Sequence, residues 1–472
     1  MKLTTLFFTV IFIEGYVVLA TELLAIRQLI PFVGSGTETI AIVIAAVLLP
    51  LAIGYFVGGR YKPRMVRGTQ VTVREKLIRN LINASLILTF GLSYLILELF
   101  FSLLSGAGIT HRVAQAAIYS LLFLVYPVFL LGQTVPLVSN YFSRHKLSEA
   151  TGKMLFASTV GSFCGSIIST LILMTTIGVH NTVIVNIGFL VAVVFLLSKH
   201  IVGVNNILML CVLGVAAVLN NGTSLSRTMH MIGDNNYNTI MVTEKDNART
   251  LILNRSSSAK YTEKMEERHP HLQYIENNFI KPIAGASPPK SILVIGAGGF
   301  MLGLEDTTND YTFVDIDKTL KAVAEDHFLK RKLGANKHFV PEPGEVFLLH
   351  NTRKYDLIFL DAYTNMHALP PQLITEEFFT HVKNALATDG IFLANVISSP
   401  NFSTRFSYKI DNTLESVFPH ISRQIIPYEG SFNAWNNSSS AKNAVNLIYS
   451  YFHKKQTDGI YTIDKNNYFL DH

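Results

Sequence analysis

The sequence predicts two architectures in one chain. An N-terminal all-α bundle of membrane-spanning helices is followed by a C-terminal α/β domain, doubly wound and Rossmann-like, with a small β-hairpin layer at its N-terminal edge. Three observations carry this. First, 49% of the 472 residues are hydrophobic, only 15% are charged, and mean hydropathy is +0.33. That is too apolar for one soluble globule and too charged for membrane throughout. Second, the apolar excess lies before about residue 222, and most Asp and Glu follow it. Third, residues 290–317 read as strand, glycine loop, helix, strand and acid, the pattern of a nucleoside-binding half-domain. The expected domains are therefore 1–222 (transmembrane), 223–285 (hairpin and helix region of the soluble part) and 286–472 (nucleoside-binding α/β).

In the membrane half, residues 4–25 form an apolar run long enough to cross a bilayer, which needs about 20 residues. No small-residue cleavage site clearly follows, so an anchor is expected. Further spans are expected at 37–59, 81–105, 113–138, 154–177, 182–197 and 203–219, seven in all. Gly161 and Gly165 would let a neighbouring helix approach closely, and Pro127 and Pro136 should kink the fourth span. Glu14, Glu22 and Glu98 lie in or near spans. They read either as a polar pathway or as interhelical hydrogen bonds. Arg60, Lys62, Arg64, Arg67, Arg74, Lys76 and Arg79 crowd the connection after the second span, and Arg144, Lys146 and Lys153 the one after the fourth. Basic loops stay cytoplasmic. Seven crossings would then put the C-terminal half outside, whereas the nucleoside ligand is expected in the cytoplasm. The cytoplasmic placement is the one expected. Cys164 and Cys211 sit in apolar runs and imply no disulfide, and no Cys/His metal cluster is present. The net charge of +6 is membrane-proximal and suggests no nucleic acid.

In the soluble half, 237–243 and 250–253 read as short strands, Ser256-Ser257-Ser258 as a loop, and 271–279 as a helix. Pro288-Pro289 marks the boundary before the first core strand, the apolar run 292–295. A second strand, 311–314, ends in Asp315; 339–340 and 355–360 follow, the latter ending in Asp361. A helix over 375–386 is expected, with Thr375 as N-cap and Glu376 and Glu377 in its first turn. Asp389-Gly390 turns into a strand over 391–396, and strands near 423–427 and 444–451 complete a parallel sheet, with a turn at 436–440. Ligands of such sheets bind outside the carboxyl ends of the strands. Gly296, Gly298, Gly299, Asp315, Asp317 and Asp361 all fall there, so one site can contain them.

Tyr237-Asn238-x-Ile240, residues 251–253, Tyr274-x-Glu276, Val294-Ile295-Gly-Ala-Gly-Gly, Val314-Asp-Ile-Asp317 and Tyr355-Asp356-x-Ile358-x-x-Asp361 together resemble the polyamine aminopropyltransferases, the spermidine synthase family, over roughly residues 235–450. The N-terminal half resembles the membrane domain fused to some bacterial members. The resemblance implies an S-adenosylmethionine-dependent transferase fold in a bacterial inner membrane. It implies S-adenosylmethionine or its decarboxylated form as substrate, no metal, and release of methylthioadenosine by displacement at a carbon on the sulfonium. It implies nucleoside contacts from Asn238, Gly296, Ala297, Gly298, Gly299, Asp315, Ile316 and Glu342. Asp361 and Tyr363 would be catalytic, and Tyr274, Glu276 and Tyr363 would line the substrate. Partners would be a small amine acceptor, the lipid bilayer and further copies of the chain.

The departures from that family matter. Gly299 replaces the loop's acid, and Thr364 replaces the second acid after Asp361. Ile275 replaces the His of Tyr-His-Glu, Ser258 a Gln, and Pro343 the adenine-binding acid, with Glu342 nearest. A dication needs carboxylates at both ends, so a diamine site is weakened while the nucleoside site stands. Acceptor-free cleavage is therefore retained beside aminopropyl transfer. The alternatives are a methyltransferase, and a non-catalytic sensor of S-adenosylmethionine that gates the bundle.

Overall fold

The computed structural model describes residues 3–452 apart from 35, 63, 67–68, 143–146, 264–267, 365–368, 400 and 427–444. His367, Arg67, Arg144, Lys146 and the expected turn at 436–440 lie outside the described residues. The described chain forms two compact units. One holds residues 3–263, 363–364 and 369–370; the other holds 268–362, 371–426 and 445–452.

The first unit contains six helices long and apolar enough to cross a membrane: Thr5–Val33, Thr37–Gly59, Arg112–Ser139, Ser148–Thr176, Gly178–Leu197 and Val204–Met229. A bent pair, Val73–Gly91 and Tyr94–Gly106, breaks by 68° where one continuous span was expected. At 1.5 Å per residue its first arm is about 28 Å long, enough to cross alone. The helix 112–139 widens into a π turn over Leu121–Val125 and is interrupted again at Gln133. Pro127 lacks an N–H and its ring collides with the carbonyl four residues back, so the ladder opens just before it. Gly161 and Gly165 press on the first helix: a Cβ on either would fall on the carbonyls of Phe12 or Tyr16. That is close helix approach through small residues. Glu14 is buried, and its Oε2 has no partner among the described residues. Glu98 pairs with Arg255.

The same unit carries a four-stranded antiparallel meander, β1 (Met231–Asp234), β2 (Thr239–Lys245), β3 (Ala248–Leu253) and β4 (Ser256–Thr262). Ser256-Ser257-Ser258, expected as a loop, opens β4. Asn254 and Arg255 both take positive φ, 47° and 67°, so a two-residue turn pairs Leu253 directly with Ser256. The meander is tied to the helices by buried charge. Arg27 donates to Asp234 Oδ1 (3.3 Å) and to the Asn235 carbonyl (2.6 Å), and His180 Nε2 lies 3.1 Å from Asp234 Oδ2. Leu225, Met231, Met241 and Ile252 pack with Tyr94.

The second unit is a seven-stranded sheet. Its strands are β5 (Ser291–Ile295), β6 (Asp310–Asp315), β7 (Lys337–Pro341), β8 (Tyr355–Leu360), β9 (Leu386–Ser398), β10 (Ser422–Ile426) and β11 (Val445–Phe452). The order is β10-β11-β9-β8-β5-β6-β7. Strands β5 to β9 run parallel, as the alternation of strands and helices predicts, but β11 pairs antiparallel with both β9 and β10. The sheet is thus mixed at one edge. Residues Ile292 to Ile295 are buried throughout, which is why they read as an unbroken apolar run. Thr375 caps the helix Glu376–Ala385, its hydroxyl accepting from the Phe378 N–H at 3.2 Å. The strand order reverses at β5 and β8, and sheets of this kind bind ligands outside the carboxyl ends of the strands at such a point.

Candidate active site

The switch point begins at Gly296. Strands β5 and β8 are in register to their last residues, Ile295 opposite Leu360, and the Asp361 N–H donates to the Ile295 carbonyl at 2.9 Å. Gly296 must therefore turn away at once against the next strand. It does so at φ +96°, where a Cβ would come within 2.7 Å of the Asp361 backbone carbon. Only glycine meets both demands.

The loop after Gly296 is bound to the end of β6 by one carboxylate. Asp315 Oδ2 accepts from the Ala297 N–H and its Oδ1 from the Asp317 N–H, both at 3.0 Å. Burial pushes the Asp315 carboxyl up to about 6, against the pull of the Asp317 and Ala297 amides. A carboxylate offers about four acceptor directions, and the Asp317, Ala297 and Ile316 amides together draw on most of them. Asp317 has a different job. It is buried, and its Oδ1 accepts from the Thr319 N–H (3.0 Å) and hydroxyl (2.6 Å), capping the following turn. Ile316 is 39% exposed beside Asp315, an apolar surface at the same strand end. Glu342 follows the last residue of β7, and Asp315 lies in register with Pro341. Gly298 and the buried Gly299 complete the loop, and Phe300 anchors it 5.0 Å from Phe313.

At the other side of Gly296, Asp361 is held by side chains from two distant elements. Asn395 Nδ2, from the carboxyl-terminal part of β9, donates to its Oδ1 at 2.9 Å, and His271 Nε2 lies 3.3 Å from its Oδ2. The Asp361 and His271 side chains keep 18% and 12% of their surface open, so a small ligand can reach them. Sequence reasoning missed both partners. Asn395 carried a signal, a lone amide inside an apolar strand run. His271 carried a weaker one, since it precedes Tyr274 by three residues and shares its helix face.

The residues expected to meet substrate are distributed differently. Tyr274 is half-buried in the helix Pro270–Ile275, its ring 6.1 Å from Phe279. Glu276 is buried, and its Oε2 takes Arg268 Nη1 (3.2 Å) and the Gly303 N–H (2.9 Å). Its carboxylate is engaged with the chain's own groups. Asn238 and Tyr363 belong to the helical unit. There Asn254 Nδ2 donates toward the Tyr237 carbonyl, Asn238 Oδ1 and the Thr364 carbonyl (2.9, 3.0 and 2.9 Å), gathering two loops on one amide. Among the described residues no three His, Cys, Asp or Glu side chains converge as a metal site.

Residues 276–448 match the spermine/spermidine synthase domain. The polyamine aminopropyltransferase 1 of Aquifex aeolicus is 29% identical over 171 residues, which is 34% of this chain and 60% of that protein. The polyamine aminopropyltransferase of Vibrio vulnificus is 30% identical over 149 residues, 30% of this chain and 48% of that one. A crystal structure of a probable spermidine synthase from Corynebacterium glutamicum aligns with a TM-score of 0.38 at 16% identity, over 48% of this chain and 81% of that one. The chain thus spans between about half and 60% of the length of these two curated relatives.

Proposed function

We propose that the chain is a membrane-anchored enzyme that cleaves a nucleoside sulfonium, decarboxylated S-adenosylmethionine or S-adenosylmethionine, and releases methylthioadenosine. The observation that carries this is the pairing of Asp315 and Asp361 on the two sides of Gly296 within a spermine/spermidine synthase domain. Asp315 and the loop N–H groups hold the nucleoside, and Ile316 and Glu342 flank its base. The reaction needs little from the protein, because a sulfonium is already an activated leaving group. The chain aligns a neutral amine against the carbon on sulfur and removes its proton. The internal pairing of Glu276, and Gly299 and Thr364 where a dication would need acids, favour a monoamine acceptor or acceptor-free cleavage over a diamine. The test is incubation of detergent-purified protein with each sulfonium, with and without amines. Methylthioadenosine is expected; S-adenosylhomocysteine would mean methyl transfer, and binding without product a sensor.

The bundle supports a placement of the soluble half different from the cytoplasmic one expected. Its helix ends sort into two faces. At one, Phe7 packs on Tyr141 (4.6 Å) and Phe8 near Phe142 (6.3 Å), Gly58 abuts Pro136, and Arg74 meets the Leu197 carbonyl. The described basic residues Arg60, Lys62, Arg74, Lys76 and Arg79, with Lys153 and Lys199, belong to connections or helix ends at this face. At the other, Phe32 meets Tyr94 (5.6 Å), Tyr94 meets His180 (5.6 Å), Asn220 meets Ser93 (2.9 Å), and the meander is anchored by Arg27 and Glu98. The connections there, 34–36, 107–111 and 177, carry no Lys or Arg, and the helix ends there carry Arg112 and Arg227. With the basic face cytoplasmic, residue 230 emerges outside. No helix long and apolar enough to recross follows among the described residues. The sulfonium is then met on the outer side of the membrane. A C-terminal alkaline phosphatase fusion should be active; an active cytoplasm-dependent fluorescent fusion in its place would reverse the assignment.

A further inference from the structure

We propose that His271 is the proton acceptor for the attacking nucleophile, with Asp361 the group that orients it. This rests on the transferase reading above. Both oxygens of Asp361 already have a partner, Asn395 Nδ2 at 2.9 Å on one and His271 Nε2 at 3.3 Å on the other. Its backbone N–H is fixed to Ile295 as well. A carboxylate held at both oxygens, on a backbone that is itself fixed, does not swing toward an incoming amine. It does fix an imidazole: with Nε2–H pointed at Oδ2, the lone pair of the ring sits on Nδ1. A carboxylate behind an imidazole selects the tautomer and stabilises the cation formed when the ring takes a proton. Near neutral pH an imidazole is also a stronger base than a carboxylate.

The ring is itself held. His269 is buried and lies parallel to His271, centroids 5.7 Å apart with 13° between the planes. The helix carrying His271 begins at Pro270, whose fixed φ suits a first helical position. The imidazole is therefore held from a rigid start beside the strand end that carries Asp361.

The step balances as follows. The amine lone pair forms a C–N bond to the carbon on sulfur. The C–S bond breaks, and its electron pair stays on sulfur as the neutral thioether of methylthioadenosine. The new ammonium passes one proton to His271 Nδ1. The imidazolium, paired with Asp361, returns it to solvent when product leaves.

The test uses full-length protein in detergent, with the sulfonium and amine that the wild type turns over. His271→Ala should lose about 10²- to 10⁴-fold in kcat, with KM for the sulfonium within about threefold of wild type. Added imidazole should restore turnover to His271→Ala in proportion to its free base, and should not restore Asp361→Ala. His271→Gln keeps a side-chain donor toward Asp361 but cannot take the proton, so it should be as slow as His271→Ala. Methylthioadenosine affinity, unchanged in both variants, reports folding. An active wild type with an equally active His271→Gln, or a slow His271→Ala that imidazole does not rescue, overturns the role of His271 alone. A wild type that binds methylthioadenosine but never forms it overturns the transferase reading and this role together.

Discussion

The two sides of Gly296 are built by different means. On the nucleoside side, Ala297, Asp315 and Asp317 are joined by backbone amides to carboxylates within about twenty residues of chain. On the acceptor side, Asp361 is joined to His271 and Asn395, 90 and 34 residues away, by side chains alone. A site written in backbone conformation tolerates little change, because the glycine, the strand end and the acid must stay in step. A site made by side chains on separate elements can exchange partners one at a time. The departures from the family pattern, at Ile275, Gly299 and Thr364, fall at the end proposed for group transfer, while Asp315, proposed for the ribose, is present. On the proposed function, this chain keeps the nucleoside side of the site and departs from the family pattern on the side that faces it.

Variants can break that division or sharpen it. The largest effect is expected at Asp361→Asn. Without the carboxylate behind His271, kcat should fall by at least about a hundredfold, while equilibrium binding of methylthioadenosine changes by less than about threefold. Equal losses in both would join the two ends into one unit. Glu276→Gln comes next and should act on stability. It leaves buried Arg268 unpaired, a loss of about 3–5 kcal/mol, read as a lower denaturation midpoint with kcat per folded enzyme kept. A selective loss of kcat there would return Glu276 to the substrate.

Asp315→Asn should weaken methylthioadenosine binding by about 1.5–3 kcal/mol, the range for hydrogen bonds to a charged group, and leave kcat at saturation nearly unchanged. The smallest effect is with pH. The folded Asp315 carboxyl titrates at about 6, raised by burial above its ordinary 3.8. Its contribution to stability is full below about 3.8 and is lost as pH rises through 6. Ribose hydroxyls need the ionised form, so affinity should rise through the same window. Calorimetric titration between pH 5 and 7 should show binding strengthen while that one contribution to stability weakens. Binding flat across pH 6 would remove Asp315 from the ribose.

What was legible in the sequence follows the same line. The apolar run 292–295, the glycines and Asp315 announce a strand, a turn and an acid because their spacing is local. The strand ending at Leu360 and the helix capped by Thr375 were equally plain. The antiparallel pairing of β11 was not, since alternation of elements fixes neighbours and not the direction of a returning edge strand. Nor was the break at Leu92-Ser93, where hydropathy runs on across a change of direction. Ser256 to Ser258 misled because serines suggest a loop, while the positive φ of Asn254 and Arg255 had already closed the turn. His271 and Asn395 became visible only once the sheet brought β8, β9 and a helix some ninety residues upstream to one point.

The most direct measurement of the central claim is the nucleoside product. Purified full-length protein is incubated with decarboxylated S-adenosylmethionine and with S-adenosylmethionine, each with and without a monoamine or putrescine, and the products are followed by mass spectrometry. The account predicts methylthioadenosine from at least one sulfonium, lost in Asp361→Asn. Only S-adenosylhomocysteine, or tight binding with no nucleoside product under any of these conditions, would contradict it.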